Sequence, residues 1–198
     1  MVKRLFDLFL VIPGLLILSP LLVLIAFWIK CDSYGPIFFR QVRVGLNGKH
    51  FKIIKFRTMV PEAEHLGLKI TVGGDPRITR LGHFLRKYKF DELPQLFNVL
   101  MGEMSLVGPR PEVPEYVELY PAEVRKKVLS VKPGITDLAS LEYKDENDLL
   151  KNAENPNEVY IHEIMPHKLT YYLQYVEKHN IMSDLVIIIR TFARIVVW

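Results

Sequence analysis

Leu8-Phe-Leu-Val-Ile-Pro-Gly-Leu-Leu-Ile-Leu-Ser-Pro-Leu-Leu-Val-Leu-Ile-Ala-Phe-Trp-Ile29 is a run of 22 residues without a formal charge, near the start of the chain. Sixteen of them are Leu, Ile, Val or Phe. At up to about 0.3–0.6 kcal/mol each, they favour bilayer insertion by roughly 5–10 kcal/mol. Pro20 costs a helix about 3 kcal/mol, because it deletes one donor and clashes with the carbonyl of Leu16. Insertion therefore wins, and the proline shapes the segment without preventing it. The competing reading is a signal peptide, but the run exceeds an h-region and no small-x-small cleavage site follows Trp28.

At about 1.5 Å per residue an unbroken run reaches roughly 33 Å, enough to cross a core of about 30 Å. Split at Ser19-Pro20, each leg reaches half that depth. Lys3 and Arg4 precede the run, and Lys30, Arg40 and Arg43 follow it. A spanning helix carries its Lys/Arg excess on one side, whereas here both flanks are basic. A re-entrant helix–break–helix fits both observations better than a kinked span, which proline also permits. Asp7 then falls at the interface, within reach of Lys3 or Arg4.

Residues 1–90 hold 15 Lys and Arg against 5 Asp and Glu, and residues 91–198 hold 11 against 17. Anionic membrane lipids and phosphorylated substrates are the natural partners of the basic half. Nucleic acid is the poorer reading, since no recognised binding motif accompanies the charge. The single Cys31 excludes an internal disulfide and reads as a buried or interfacial thiol.

Ile37–Val44 and Phe51–Thr58 are β-branched and aromatic, and they flank Asn47-Gly48, a strong hairpin signal. Residues 62–76 read as a loop, with Gly73-Gly74 as turn chemistry. From Thr79 the period is helical: Leu81, Phe84, Leu85 and Tyr88, then Leu93, Leu96, Phe97 and Leu100. Between the stripes, Asp91 reads as an N-cap with Pro94 in the first turn. Short helices are expected over 112–119, 121–130, 145–151, 157–165 and 167–179. Asp184–Trp198 reads as an interfacial helix with a tryptophan anchor, or as a buried core helix.

The fold class is mainly α with a small β-hairpin. Residues 1–33 form the re-entrant membrane segment, 34–183 a compact cytoplasmic α+β catalytic domain, and 184–198 the C-terminal interfacial helix.

Asp91-Glu92 is the sharpest chemical candidate. On pattern alone such a pair is a helix cap with dipole-friendly charge, or a catalytic centre. Arg77, Arg80, Arg86, Lys87 and Lys89 precede it, with no acid between Asp75 and Asp91. Downstream, Arg110 lies between Pro109 and Pro111, which restrict its backbone. A carboxylate ringed by arginines beside a membrane suits phosphate chemistry. The six histidines lack metal-ligand spacing, which argues against zinc. Tyr171, Tyr172 and Tyr175 read as core or interface residues.

These residues carry a resemblance. Lys3-Arg-Leu-Phe-Asp7, Ser19-Pro20, Gly35–Gly45, Phe56-Arg-Thr-Met59, Asp91–Leu100, Met104–Pro111 and Lys132-Pro-Gly-Ile-Thr136 resemble, in order, the small monotopic phosphoglycosyl transferases, a family of bacterial sugar transferases. The resemblance implies transfer of a sugar 1-phosphate from a UDP-sugar to polyprenol (undecaprenyl) phosphate, with Mg²⁺ and release of UMP. It places the reaction at the cytoplasmic face of the bacterial inner membrane, initiating polysaccharide or glycoconjugate assembly. It also implies a helix broken at Ser-Pro and an aspartyl-phosphosugar on Asp91. The chain departs from the family pattern at Lys89-Phe90, at Asp137 and at Tyr172.

An Asp carboxylate is already ionised at neutral pH, with a reference pKa of ~3.9, so it attacks phosphorus without a base. What it needs is relief from the repulsion of a diphosphate, which Mg²⁺ and arginines supply. Asp91 is assigned as nucleophile. Glu92 is assigned as metal ligand or as proton acceptor from polyprenol phosphate, so that both carboxylates count as the metal pair. Arg86 and Arg110 are assigned to phosphate contact. Lys55 and Arg57, on one face of the second strand, are weaker substrate-binding candidates, with surface charge as the bland reading. A non-catalytic scaffold binding polyprenol phosphate and a lipid diphosphate hydrolase stand as alternatives. The sugar, the lipid length and the oligomeric state, a homodimer included, are not read from sequence.

Overall fold

The apolar run becomes the middle of one 31-residue helix, α1, from Val2 to Asp32. The computed structural model describes residues 2–63, 75–142, 150 and 153–196. Where a break is expected at Ser19-Pro20, the described backbone stays helical. Ser19 Oγ donates to the Leu16 carbonyl at 2.8 Å, the acceptor that Pro20, lacking an N–H, leaves unpaired.

After α1 come β1 (Phe38–Val44) and β2 (His50–Phe56), then α2 (Arg80–Lys87) and α3 (Gln95–Met101). Next are β3 (Ser105–Val107), α4 (Pro114–Glu118), α5 (Ala122–Val128), β4 (Gly134–Thr136) and α6 (Leu138–Glu142). The chain closes with α7 (Pro156–Val159), a π-helical turn (Tyr160–Ile164), α8 (Met165–Lys178) and α9 (Ile181–Val196). The fold is mainly helical, as its periodicity predicts. The expected loop over 62–76 and helix over 145–151 lie largely outside the described residues, as does Trp198.

β1 and β2 pair antiparallel from Phe38↔Phe56 to Val44↔His50. Asn47 and Gly48 take φ of 54° and 77° at the turn, the left-handed region that an Asn-Gly pair supplies at low cost. The free edge of β2 is met by Asn98 of α3. Its amide oxygen accepts from Ile54 N at 2.9 Å and its amide nitrogen donates to the Lys52 carbonyl at 2.8 Å. One buried side chain thus continues the ladder and locks α3 onto the hairpin.

A second sheet, absent from the sequence reading, joins β3 and β4 in parallel through Ser105↔Gly134 and Val107↔Thr136. It explains two motifs at once. Gly108 and Gly134 meet backbone to backbone, and a Cβ on Gly134 would sit 2.1 Å from Gly108 N. Only glycines permit that approach.

Asp7, Val11, Leu22, Ile25 and Ile29 form a buried stripe along α1. Leu22, Ile25 and Ile29 pack with Phe56, Leu81 and Leu85, and Val11 with Ile53, Val99 and Met104. Phe9, Leu16, Ile17, Val23, Leu24 and Phe27, on the rest of the helix, remain exposed.

Both ends of α1 are tied to the same body. Arg4 donates to the carbonyls of Val99 and Leu100, where a cation complements the C-terminal end of α3. At the other end, Leu81 N donates to Asp32 at 3.4 Å. Asp7 corrects its expected interfacial place. It does pair with Lys3 at 3.3 Å, but it is buried and accepts from Ser105 Oγ at 2.9 Å. Donors on β3 draw it beneath the domain.

α9 has two apolar faces. Asp184 and Ile187 are buried, whereas Met182, Val186, Ile189 and Phe192 are exposed. Asp184 accepts from Tyr175 at 2.9 Å and pairs with Lys3 at 2.7 Å, so α1, α8 and α9 share one polar junction. Tyr172 and Tyr175 are buried, as expected, whereas Cys31 is exposed.

Candidate functional site

Thr79 caps α2, accepting from Gly82 N at 3.0 Å. Gly82 presses against the Thr58 carbonyl, where a Cβ would stand 2.1 Å away. That contact brings Thr58 under the helix, and Arg86 Nε donates to Thr58 Oγ1 at 2.8 Å. Arg86 is thereby fixed facing the acidic pair. Burial lowers its pKa from the ordinary guanidinium value, against the pull of Asp91 and Asp75.

α2 stops at Lys87, and Lys89 turns the chain with φ 58° and ψ 20°. A left-handed lysine costs on the order of 1–2 kcal/mol. It opens a 3₁₀ turn over Phe90–Glu92, ahead of α3. Asp91 is therefore not the N-cap that its sequence position suggests. The donors a cap would take are missing: Leu93 N is bonded to the Phe90 carbonyl at 3.3 Å, and Pro94 has no N–H.

The consequence is chemical. Asp91 is buried, and its Oδ1 has no hydrogen-bond partner. Burial raises its pKa from the ordinary carboxylate value, Glu92 pushes the same way, and Lys55, Lys89 and Arg86 oppose them.

Glu92 is the opposite case. Its Oε1 accepts from Lys55 Nζ at 2.9 Å and from Arg110 Nη2 at 2.5 Å, while Arg110 Nη1 reaches Oε2 at 3.3 Å. Burial alone would raise its pKa, but the charges of Arg110 and Lys55 and the Arg110 hydrogen bond hold it well below the usual range. Glu92 in turn raises the pKa of Arg110 well above its ordinary value. Burial lowers that of Lys55, despite Glu92 beside it. The forked pair is specific to arginine. Adjacent carboxylates are thus pushed apart, one buried with an unpartnered oxygen and one locked by cations, the kind of divergence that lets two neighbouring carboxyls take different roles.

Of the residues singled out from sequence, Asp91, Glu92, Arg86, Arg110 and Lys55 converge. Arg57 does not. β2 ends at Phe56, so Arg57 leaves the pleat, and its three nitrogens go to Pro36 O, Ser33 Oγ and Ser33 O at 2.6, 2.9 and 2.9 Å. It latches the chain at the end of α1 instead of joining the acidic pair.

The cations around Glu92 favour its charged form. Both of its oxygens are engaged, which leaves Asp91 as the carboxylate with a free oxygen. Three residues escaped the sequence reading as site members: Thr58, Lys89 in its left-handed role, and Gln95. The Gln95 amide is buried with neither atom bonded, four residues beyond Asp91. The Phe56-Arg-Thr-Met59 and Asp91–Leu100 motifs held the first and last in plain view.

Because Glu92 raises the pKa of Asp91, Glu92→Gln is expected to lower it. A ¹³C NMR titration of labelled aspartate checks this. An unchanged or higher Asp91 midpoint would contradict the coupling.

Comparison with known proteins adds independent support. A UDP-glucose:undecaprenyl-phosphate glucose-1-phosphate transferase of Klebsiella pneumoniae is 40% identical over 193 residues, covering 96% of this chain and 39% of that protein. An undecaprenyl-phosphate glucose phosphotransferase of Komagataeibacter xylinus is 47% identical over 150 residues, covering 70% and 27%. A UDP-N-acetylgalactosamine-undecaprenyl-phosphate N-acetylgalactosaminephosphotransferase of Aeromonas hydrophila is 41% identical over 142 residues, covering 71% and 34%. The chain thus spans well under half the length of these relatives. The model of one family, described as bacterial sugar transferase, matches residues 1–197, and with the ordered motifs built into this site, the chain belongs to that family.

Proposed function

We propose that the chain moves a sugar 1-phosphate from a UDP-sugar to polyprenol phosphate, giving polyprenyl-diphosphate-sugar and UMP through an intermediate on Asp91. The observation that carries this is the buried Asp91 carboxylate with an unpartnered oxygen, among Arg86, Lys89, Lys55 and Arg110. The long apolar helix beside it suits a lipid acceptor. The relatives named above act on undecaprenyl phosphate by name, two with glucose and one with N-acetylgalactosamine.

In the first step an Asp91 oxygen bonds to the phosphorus that carries the sugar. The bond from that phosphorus to the bridging oxygen breaks, and UMP leaves with the electron pair. In the second step a phosphate oxygen of the lipid bonds to the same phosphorus, and the acyl-phosphate bond breaks, restoring Asp91. Arg86 and Arg110 hold phosphate oxygens. Arginine has five donors, and Glu92 occupies only part of the Arg110 fork, whose side chain is 30% exposed. Glu92 orients Arg110 and Lys55 instead of taking a proton.

Mg²⁺ fits this donor set. Among the described residues no three acidic, His or Cys side chains cluster into a ready cage. Mg²⁺ is ordinarily held by one or two carboxylates, substrate phosphates and water. Asp91 offers the free oxygen, and Glu92 would join only by loosening its cation pairs. When bound, the ion supplies positive charge against the diphosphate.

The test is a panel of UDP-sugars with undecaprenyl phosphate in detergent, read by UMP release. Release coupled to lipid product supports the transferase. Lipid binding with no UMP from any sugar would indicate a scaffold, and free sugar phosphate without acceptor a hydrolase. In excess chelator UMP release should fall to background, and full release there would refute the metal requirement.

We propose that α1, although helical through Ser19-Pro20, keeps both of its ends on the cytoplasmic face of the bacterial inner membrane. Support comes from its ends: Arg4 and Asp32 both bond to the body that carries the site, which disfavours ends on opposite sides of a core about 30 Å thick. In a Cys31→Ser background, cysteines at positions 2 and 34 should label from the cytoplasmic side only. Labelling of position 2 from outside would contradict this topology.

A further inference from the structure

Four aromatic rings lead from the membrane helix to the residue before Asp91. The Trp28 ring of α1 lies 5.9 Å from Phe84 of α2. Phe84 lies 4.9 Å from Tyr88 and 6.1 Å from Phe90, and Tyr88 and Phe90 are 6.0 Å apart. These are contact distances between tilted or edge-on rings. A closed core would explain such a cluster, but this one is open: Trp28 is 49% and Phe84 42% exposed. Tyr88 and Phe90 are half-buried, and Phe90 packs against the apolar cluster of Leu22, Ile29 and Leu85.

The strip has two chemically different ends. Trp28 stands two residues before Lys30, at the close of the apolar run, where an aromatic ring belongs at headgroup depth. The other end adjoins Asp91 and is flanked by cations. Lys87 Nζ lies 5.5 Å from the Tyr88 ring centre, and Lys89 acts electrostatically on Asp91. The exposed apolar face of α1 continues into the strip without a break in chemistry.

We infer that Trp28, Phe84, Tyr88 and Phe90 seat the first isoprene units of the lipid acceptor, with Lys87 and Lys89 receiving its phosphate. This rests on the transferase reading above. An acceptor with an apolar chain and an anionic head leaves the bilayer at headgroup level and brings its phosphate to a carboxylate that already carries the sugar phosphate. A strip that is apolar along its length and cationic at its inner end matches that order of groups. Rigid rings offer broad apolar area while losing little rotamer freedom. The water-soluble donor has no use for the strip, so the two substrates reach Asp91 by separate routes.

The test uses the full chain, with Trp28→Ala, Phe84→Ala and the double variant. Acceptors are undecaprenyl phosphate in detergent and farnesyl phosphate, which is short enough to stay in solution. Donor chemistry is read separately, as the UMP burst without acceptor. Phe84→Ala should raise the KM for both acceptors about tenfold or more, and the double variant further. The burst and the UDP-sugar KM should stay within twofold of wild type.

Acceptor KM values within twofold in all variants would overturn the proposal. So would a parallel loss of the burst, which would make the rings a brace for Asp91. A defect confined to undecaprenyl phosphate, with farnesyl phosphate unaffected, would overturn it as well, and would make the rings a contact for the detergent or bilayer phase instead. A wild type that turns over neither acceptor would remove the underlying activity and the proposal with it. A wild type that turns over without a burst would remove only the two-step chemistry, leaving the KM comparison decisive.

Discussion

Asp91→Asn is expected to lower turnover by several orders of magnitude while the protein stays folded. The amide matches the carboxylate in shape but lacks the charge that attacks phosphorus, and a lost nucleophile removes the step itself. Stability should move the other way. Burial and Glu92 both disfavour the Asp91 charge in the folded state, so the folded pKa lies above the unfolded one. For an acid raised in this way, the charged form destabilises the fold near neutral pH. Its Oδ1 has no hydrogen bond to lose. Thermal unfolding of Asp91→Asn should therefore show an equal or higher Tm alongside the collapse in turnover. A large fall in Tm would mean that the carboxylate helps to hold the turn.

Arg110→Ala should give the second largest loss, in both activity and stability. The fork of Arg110 on Glu92 spans 18 residues of sequence, and Lys55 approaches the same oxygen from 37 residues away. Removing the arginine leaves Glu92 buried with Lys55 alone. Breaking one side of a buried pair costs about 3–5 kcal/mol. Because Lys55 remains and Arg110 is partly exposed, about 1–3 kcal/mol is expected here. Loss of a phosphate-holding cation should lower turnover by about 10²–10³. Arg110→Lys should recover little of it, since an ammonium cannot reproduce the planar fork. Near-normal turnover in a destabilised Arg110→Ala would make the arginine a brace only.

What could be read in advance follows from range. The apolar run, the Asn47-Gly48 turn and the helical periods from Thr79 are local signals, and the structure carries each of them. Asp91-Glu92 stood out because composition around it is skewed. Contacts that tie distant segments were invisible. Asp7 sits 98 residues from Ser105, and nothing near it in sequence announces a buried partner. β3 and β4 are three residues each, too short for an alternation pattern to declare a parallel pair. Arg57 lies apart from the acidic pair because strand alternation ends with β2, one residue before it. Asp91 misled as a cap because the cap rule does not count the donor that Pro94 lacks or the one that Phe90 takes.

Intact-mass analysis tests the proposed covalent role of Asp91 most directly. Wild-type protein and Asp91→Asn are incubated with the accepted UDP-sugar and no lipid acceptor, and UMP is quantified beside the protein mass. The wild type should release UMP in a burst stoichiometric with enzyme and gain one sugar-phosphate mass. Adding polyprenol phosphate should discharge the adduct, and the Asn variant should show neither burst nor adduct. No adduct in the wild type, with full turnover once both substrates are present, would establish direct transfer and reduce Asp91 to metal binding.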